Sequence, residues 1–241
     1  MCQCTFLYGY QGLCHCGLSC NETWTSVHVS FRSAASLVKV LGGIADRPLL
    51  TRKEVYSESN ASGGLVIAGS YTQKTTMQLE KLHDLPDVQF IPFNSDLVLD
   101  SLAFSREIER CRQEIEATLR EGKTAVCYTS RIPLKSSQRT AEEALKCSVM
   151  ISGGLQSILG SLNVPPSFII GKGGITSSDL AVKALKIRSA WVLGQIEPGI
   201  SVWRADQNSK FPQIPYIVFP GNVGNADTLF CILEKLQISP H

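Results

Sequence analysis

Long apolar runs are missing from this 241-residue sequence: no stretch approaches the ~20 residues of a membrane span, which excludes a transmembrane helix. An excess of one charge is missing too. Net charge is +2 with 18% charged residues and no basic stripe, so nucleic acid is not an implied partner. Histidine is scarce. His15, His28, His83 and His241 all lie away from the glycine turns described below, which argues against a Ser–His–Asp or Cys–His nucleophile system. The first residues carry no apolar core of a signal peptide, so a cytoplasmic setting is expected, and the glycosylation sequons at Asn21 and Asn60 carry no meaning there.

Cysteine, by contrast, is plentiful. Five of the nine fall in the first twenty residues, Cys2, Cys4, Cys14, Cys16 and Cys20, with His15 among them. Their spacing, C-x-C and then C-x-C-x₃-C, does not match the paired C-x₂₋₄-C of zinc sites, so no metal site is assigned. Cys111, Cys127, Cys147 and Cys231 sit in apolar patterns and read as small core residues of a reducing compartment.

Residues 1–28 show no periodicity and are expected to be poorly structured or not native to the fold. Residues 29–62 read as a helix followed by a linker, and the domain boundary is placed in that linker. Phe31–Leu41 has helical spacing and ends at Gly42-Gly43, and 45–62 has linker composition. From residue 63 to 241 short apolar runs alternate with helical patterns. Strands are predicted at Gly64–Ala68, Val88–Ile91, Lys123–Tyr128, Phe168–Ile170, Ala190–Leu193 and Ile217–Phe219. Helices are predicted over Thr72–Leu82, from Ser105 through Leu119, over 139–162 with Leu145, Val149, Ile158 and Leu162 as core positions, over Thr176–Lys186, and over 226–236. The fold class is therefore α/β, a mostly parallel sheet with helices on both faces.

Three glycine turns follow predicted strands and precede predicted helices: Gly69-Ser70, Gly171–Ser178 and Gly221–Gly224. The second, Gly-Lys-Gly-Gly-Ile-Thr-Ser-Ser, is the most suggestive. Glycine lets backbone approach a ligand, and the first amides of a helix lack intrahelical partners, so such a turn can cradle phosphate. An ordinary βα turn capped by Ser or Thr reads the same way. Lys172 suits either phosphate neutralisation or a solvated turn, and Asp179 suits a favourable charge in the first helical turn. Gly122-Lys123-Thr124 resembles the end of a P-loop, but Ala117 stands where that motif needs glycine, so it reads as a helix C-cap. Glu197-Pro198-Gly199 reads as a tight turn, and Trp191 and Trp203 as packing residues.

Taken together, four ordered segments resemble the four-carbon acid sugar kinase family: Gly69-Ser70-Tyr71-Thr72-Gln73-Lys74, Gly173-Gly174-Ile175-Thr176-Ser177-Ser178-Asp179, Gly194-Gln195-Ile196-Glu197-Pro198-Gly199 and Phe219-Pro220-Gly221-Asn222-Val223-Gly224. The resemblance covers roughly residues 64–236 and is to that family's C-terminal, nucleotide-binding half, in the plant-like branch often fused to dehydrogenase-like and class II aldolase-like domains. It implies ATP and Mg²⁺ as cofactors and phosphorylation of threonate- or erythronate-type acids. It also implies a phosphate site built on Lys172, Gly173, Gly174, Ile175, Thr176, Ser177, Gly221, Asn222 and Gly224, with Ser70 contacting the nucleotide. Of the family's substrate half the resemblance implies only a remnant and linker at residues 29–62; the half's Asp-Asp-x-Thr-Gly motif is absent from this sequence, so catalytic residues are not assigned. The implied partners are a nucleotide, a small sugar acid if the other half is supplied, and a second copy in a homo-oligomer. The alternative implication is a non-catalytic nucleotide-binding or docking domain of a larger metabolic protein.

Overall fold

A computed structural model describes residues 35–56, 62–70, 72–130 and 140–237. The expectations for 1–28 lie outside these residues. The chain divides into two units, 1–48 and 49–241. In the first, helix α1 (Ala35–Leu41) has the helical pattern read from the sequence. It ends at Gly42, whose amide donates to Val38 O at 2.9 Å, and at Gly43, whose φ of 59° is the left-handed conformation that glycine adopts most readily.

The second unit carries a seven-stranded sheet in the order β2-β3-β1-β4-β7-β6-β5. The strands are β1 (Leu65–Ala68), β2 (Val88–Phe93), β3 (Thr124–Thr129), β4 (Ile169–Lys172), β5 (Ala190–Glu197), β6 (Ile200–Ala205) and β7 (Pro215–Phe219). The first five positions in that order are mutually parallel, and the β5–β6 hairpin adds two antiparallel strands at one side. The expected α/β architecture, mostly parallel, is thus present.

The helices of this unit are α2 (Arg52–Val55), α3 (Gln73–Glu80), α4 (Ser101–Arg120), α5 (Ala141–Ser161), α6 (Gly174–Asp179) and α7 (Thr228–Leu236). Their starts are set by polar side chains. Asp100 accepts from the amides of Leu102 and Ala103 at the head of α4, and Thr140 with Glu143 makes a capping box on α5. Helix α4 therefore begins at Ser101, upstream of the Ser105 cap that the sequence suggested. Helix α6 begins at Gly174, two residues ahead of the expected Thr176, and runs on through a wider i→i+5 turn, Leu180–Ala184.

Alternate strand residues point to opposite faces, and each face owns a core. Leu65, Ile67, Phe93, Cys127, Ile169 and Tyr216 pack with α4, α5 and α6. Val66, Ala68, Val126, Ile170, Ile217 and Phe219 pack with α2, α3 and α7. Helices thus cover both faces. Cys111, Cys127 and Cys147 are buried thiols as expected, while Cys231 is half-buried.

Several local expectations change. Residues 49–56, inside the stretch of linker composition, pack into the domain: Leu50 and Val55 are buried, and the Leu50 amide donates to Gln195 O at 2.8 Å. β2 extends through Pro92, tolerated because β2 is an edge strand with one neighbour. β6 was not expected at all. β5 runs past Gly194 through two register irregularities to the tight turn at Pro198-Gly199, where Gly199 has φ of 79°. Leu145 and Val149, expected in the core, are 65% and 64% exposed, because α5 turns its Leu155, Ile158 and Leu159 side to the sheet instead. Trp191, expected to pack, is 77% exposed on the edge strand, whereas Trp203 lies against Tyr216.

Candidate functional site

Strand order fixes where a ligand can enter. β1 lies between β3 and β4, and the helices after β1 and β4 go to opposite faces: α3 to the Val66 face, α6 to the Leu65 face. The carboxyl ends of β1 and β4 therefore flank a crevice, the place where open α/β sheets bind ligands. β7 is the next strand along, so all three glycine turns come to one sheet edge.

The turns touch one another there. A Cβ built on Gly173 would lie 3.3 Å from Thr176 Oγ1 and 3.6 Å from Ser70 Cβ, and one on Gly221 would lie 3.8 Å from Gly173 Cα. Gly173 is buried with φ of 118°, so glycine is required at this position, not at Gly174. A Cβ on Gly174 would meet nothing within 4 Å: the space over the next turn of backbone is open. No side chain caps α6, so its first amides keep no protein partner of that kind.

Three predicted side chains serve the turn itself. The Ser177 hydroxyl lies 2.5 Å from Gly171 O and 2.6 Å from Gly173 O, and Tyr216 OH donates to Ser177 O at 2.6 Å. Thr176 Oγ1 fills the gap beside Gly69 and Gly173. Ser70 Oγ donates to Thr72 Oγ1 at 3.3 Å and accepts from the Thr72 amide at 3.4 Å, next to the start of α3. Ile175 is 78% exposed and Asn222 is exposed, while Gly224, with φ of 79°, shapes the loop that leads to α7. Asp179 is not in the first turn as expected but at the end of α6. There it accepts from Ser152 and Gln156 of α5 and pairs with Lys183, whose hydrogen bond holds its carboxyl below the usual range.

Lys172 is the largest surprise. It is no solvated turn residue but a fully buried one at the end of β4. Its ammonium donates to Pro220 O at 3.2 Å and lies 3.7 Å from the centre of the Phe219 ring. Burial, then the charge of Lys74, lowers its pKa to about 8. Lys74 itself, in the first turn of α3, donates to Asn222 O at 3.0 Å. Among the described residues neither ammonium has a carboxylate partner, so two cations are held on carbonyls of the 220–222 turn, one of them also over the Phe219 ring.

Sequence reading missed Lys74 and its neighbour one turn on, Gln78. The Gln78 amide is buried and donates to Asn225 O at 2.7 Å and Val223 O at 3.4 Å, tying α3 to the loop after β7. Its Oε1 is buried without a partner. The i, i+4 spacing of Lys74 and Gln78 places both on one helix face, but only the fold puts a loop 148 residues away against that face. Among the described residues no cluster of three His, Cys, Asp or Glu could hold a metal, and no helix is long and apolar enough to cross a membrane.

The comparisons with known proteins agree with this geometry at the level of the domain. Residues 65–229 match the family model described as nucleotide-binding C-terminal domain, and the chain belongs to that family. No curated protein matches it. Among solved structures, it is similar to a candidate tRNA synthase from Salmonella typhimurium LT2, with TM-score 0.66, 16% identity, and 93% of this chain but 50% of that one covered. It is also similar to a Haemophilus influenzae protein of a domain-of-unknown-function family, with TM-score 0.64, 18% identity, and 95% and 52% covered. A third is a Bordetella bronchiseptica domain of unknown function, a domain-swapped dimer with bound citrate, with TM-score 0.53, 12% identity, and 74% and 43% covered. At these identities the likeness shows the fold, and the chain spans about half the length of the solved structures it matches.

Proposed function

We propose that the crevice binds the phosphate chain of ATP and that the domain is the nucleotide-binding half of a cytoplasmic four-carbon sugar acid kinase. The observation that carries this reading is the pair of ammoniums, Lys74 and Lys172, both held on carbonyls of the 220–222 turn that lies against Gly173, with no carboxylate partner among the described residues. Two like charges held together in a partly desolvated site repel unless an anion joins them. The amides of Gly173, Ser177 and Val223 bond within the protein, and the remaining donor set, the amides at 174–176 with those of Gly221, Asn222 and Gly224, the Ser70 hydroxyl and two ammoniums, suits phosphate oxygens. Mg²⁺ would arrive on the phosphates, because it keeps most of its shell as water and phosphate oxygen.

ATP supplies the transferable phosphoryl group when bound. The chain's own residues orient it. The amides fix the phosphates against the sheet edge, the lysines neutralise charge, and Gln78 holds the 222–225 loop in place. A threonate- or erythronate-type acid would be presented by a substrate half such as the longer solved relatives have room for. The family match, which describes a nucleotide-binding domain and no catalytic one, is met equally by a second reading, a nucleotide-binding domain that docks on another protein without catalysis of its own. Titration calorimetry with Mg-ATP tests the first claim: binding lost in the Lys74→Met/Lys172→Met double variant supports it, and unchanged binding defeats it. A coupled assay with threonate and erythronate separates the two readings, since phosphorylation by the isolated chain overturns the docking role.

A further inference from the structure

We propose that Leu145, Val149 and Ile175 form the apolar wall on which the base of a bound nucleotide lies. The inference rests on the phosphate cradle proposed above. α5 precedes β4 and α6 follows it, so both helices run away from the carboxyl edge of the sheet, side by side on one face. Hydrogen bonds from Ser152 and Gln156 to Asp179 fix their alignment. Ile175 stands one turn before Asp179, and Val149 and Leu145 stand one and two turns before Ser152. The three side chains therefore share the end of the helix pair that borders the crevice. They are 78%, 64% and 65% exposed, and Met150 of α5 is exposed too, at 47%, whereas Leu155, Ile158 and Leu159 farther along α5 pack inward. Ile175 directly follows Gly174, so the wall is continuous with the open turn of the cradle. Glu142 and Lys146, paired with each other on α5, give it a polar rim.

An aliphatic wall beside a phosphate site suits a flat, apolar-faced ring attached to a polyphosphate, and it distinguishes a nucleotide from a bare phosphate chain. Leu145→Gln, Val149→Gln and the double variant test this without touching the cradle, and glutamine keeps the helix propensity of α5. The full chain is titrated with Mg-ATP and with inorganic triphosphate, and its assembly state is followed by sedimentation velocity. Wild type should prefer ATP by about tenfold or more, and the double variant should lose most of that preference while its triphosphate affinity stays within about twofold. Should the double variant not fold, the single variants carry the test with smaller losses. Equal wild-type affinity for the two ligands overturns the wall but leaves the cradle standing. Equal weakening of both ligands overturns it too. So does dissociation of a dimer with the ATP preference intact, which assigns the face to a second copy. If wild type binds neither ligand, the cradle reading fails and the wall falls with it.

Discussion

Glycines stand at both ends of the central strands, and the two sets differ in what surrounds them. At the amino end, a Cβ on Gly63 would fall inside the Lys123 carbonyl, and one on Gly64 inside the Phe168 ring. Gly63 also donates to Leu119 O at 3.1 Å and accepts from the Ser167 amide at 2.9 Å, which locks β1 between its neighbours. At the carboxyl end, Gly174 meets nothing and Gly221 meets only the backbone of Gly173. The first set is glycine because the protein itself fills the space. In the second, protein atoms crowd Gly69, Gly171 and Gly173, and open space remains at Gly174 and Gly221. A cavity of about 270 Å³ does lie near the amino end, lined by Gly63, Asp87, Phe168 and Glu234 among others. Its lining holds no lysine or arginine, whereas Lys74 and Lys172 stand at the other edge.

The contrast breaks most sharply by mutation. Gly63→Ala and Gly64→Ala should each destabilise the domain by about 3 kcal/mol or more, beyond ordinary overpacking because the first clash is with backbone. Urea or thermal unfolding measures this, and a loss under about 1 kcal/mol would end the distinction. Gly174→Val should do the opposite: unfolding should shift by no more than about 1 kcal/mol while Mg-ATP affinity falls at least about tenfold. Calorimetry on the same variant reads the second half, and equal ATP binding would remove the cradle assignment.

Lys172 sharpens the comparison through pH. Its folded pKa, about 8, lies below the ordinary lysine value, so between the two the unfolded chain holds more protons. Stability should therefore rise with pH from about 8 upward, and Lys172→Met should flatten that rise. An anion that pairs with the ammonium restores its charge, so phosphate-chain affinity should fall as pH passes upward through about 8. Calorimetry in buffers of different ionisation enthalpy would detect proton uptake on binding at that pH, and no uptake would separate Lys172 from the ligand. The smallest effect belongs to Asp179→Asn. Its carboxyl is depressed first by Lys183 and then steadied by Ser152, and the pair is half open to water. A loss of about 0.5–1 kcal/mol at neutral pH, fading as pH falls below the carboxylate range, is expected in denaturant titrations.

The parallel half of the molecule was readable because its signals are local. Short apolar runs bounded by glycine and hydroxyl residues gave β1, β3, β4 and β7, and the spacing of Leu229, Ile232, Leu233 and Leu236 gave α7, all four buried. β5 was read in part, as Ala190–Leu193, but β6 was missed: its Ile200, Val202 and Ala205 are buried, yet this short alternation lies between the Pro198-Gly199 turn and the polar stretch 206–210. Leu145 and Val149 misled for a related reason: helical spacing states that a stripe exists, not which stripe meets the sheet.

For the candidate site, the sequence by itself determined the three glycine turns and their order along the chain. Glycine's backbone freedom and the helix that follows are properties of neighbouring residues. Only the tertiary structure decided that β1, β4 and β7 lie side by side, that Gly173 rather than Gly174 bears the positive φ, and that Lys172 is buried with Lys74 beside it. Strand order and the desolvation of a charge depend on contacts between segments far apart in the chain, and no local pattern of residue types encodes them.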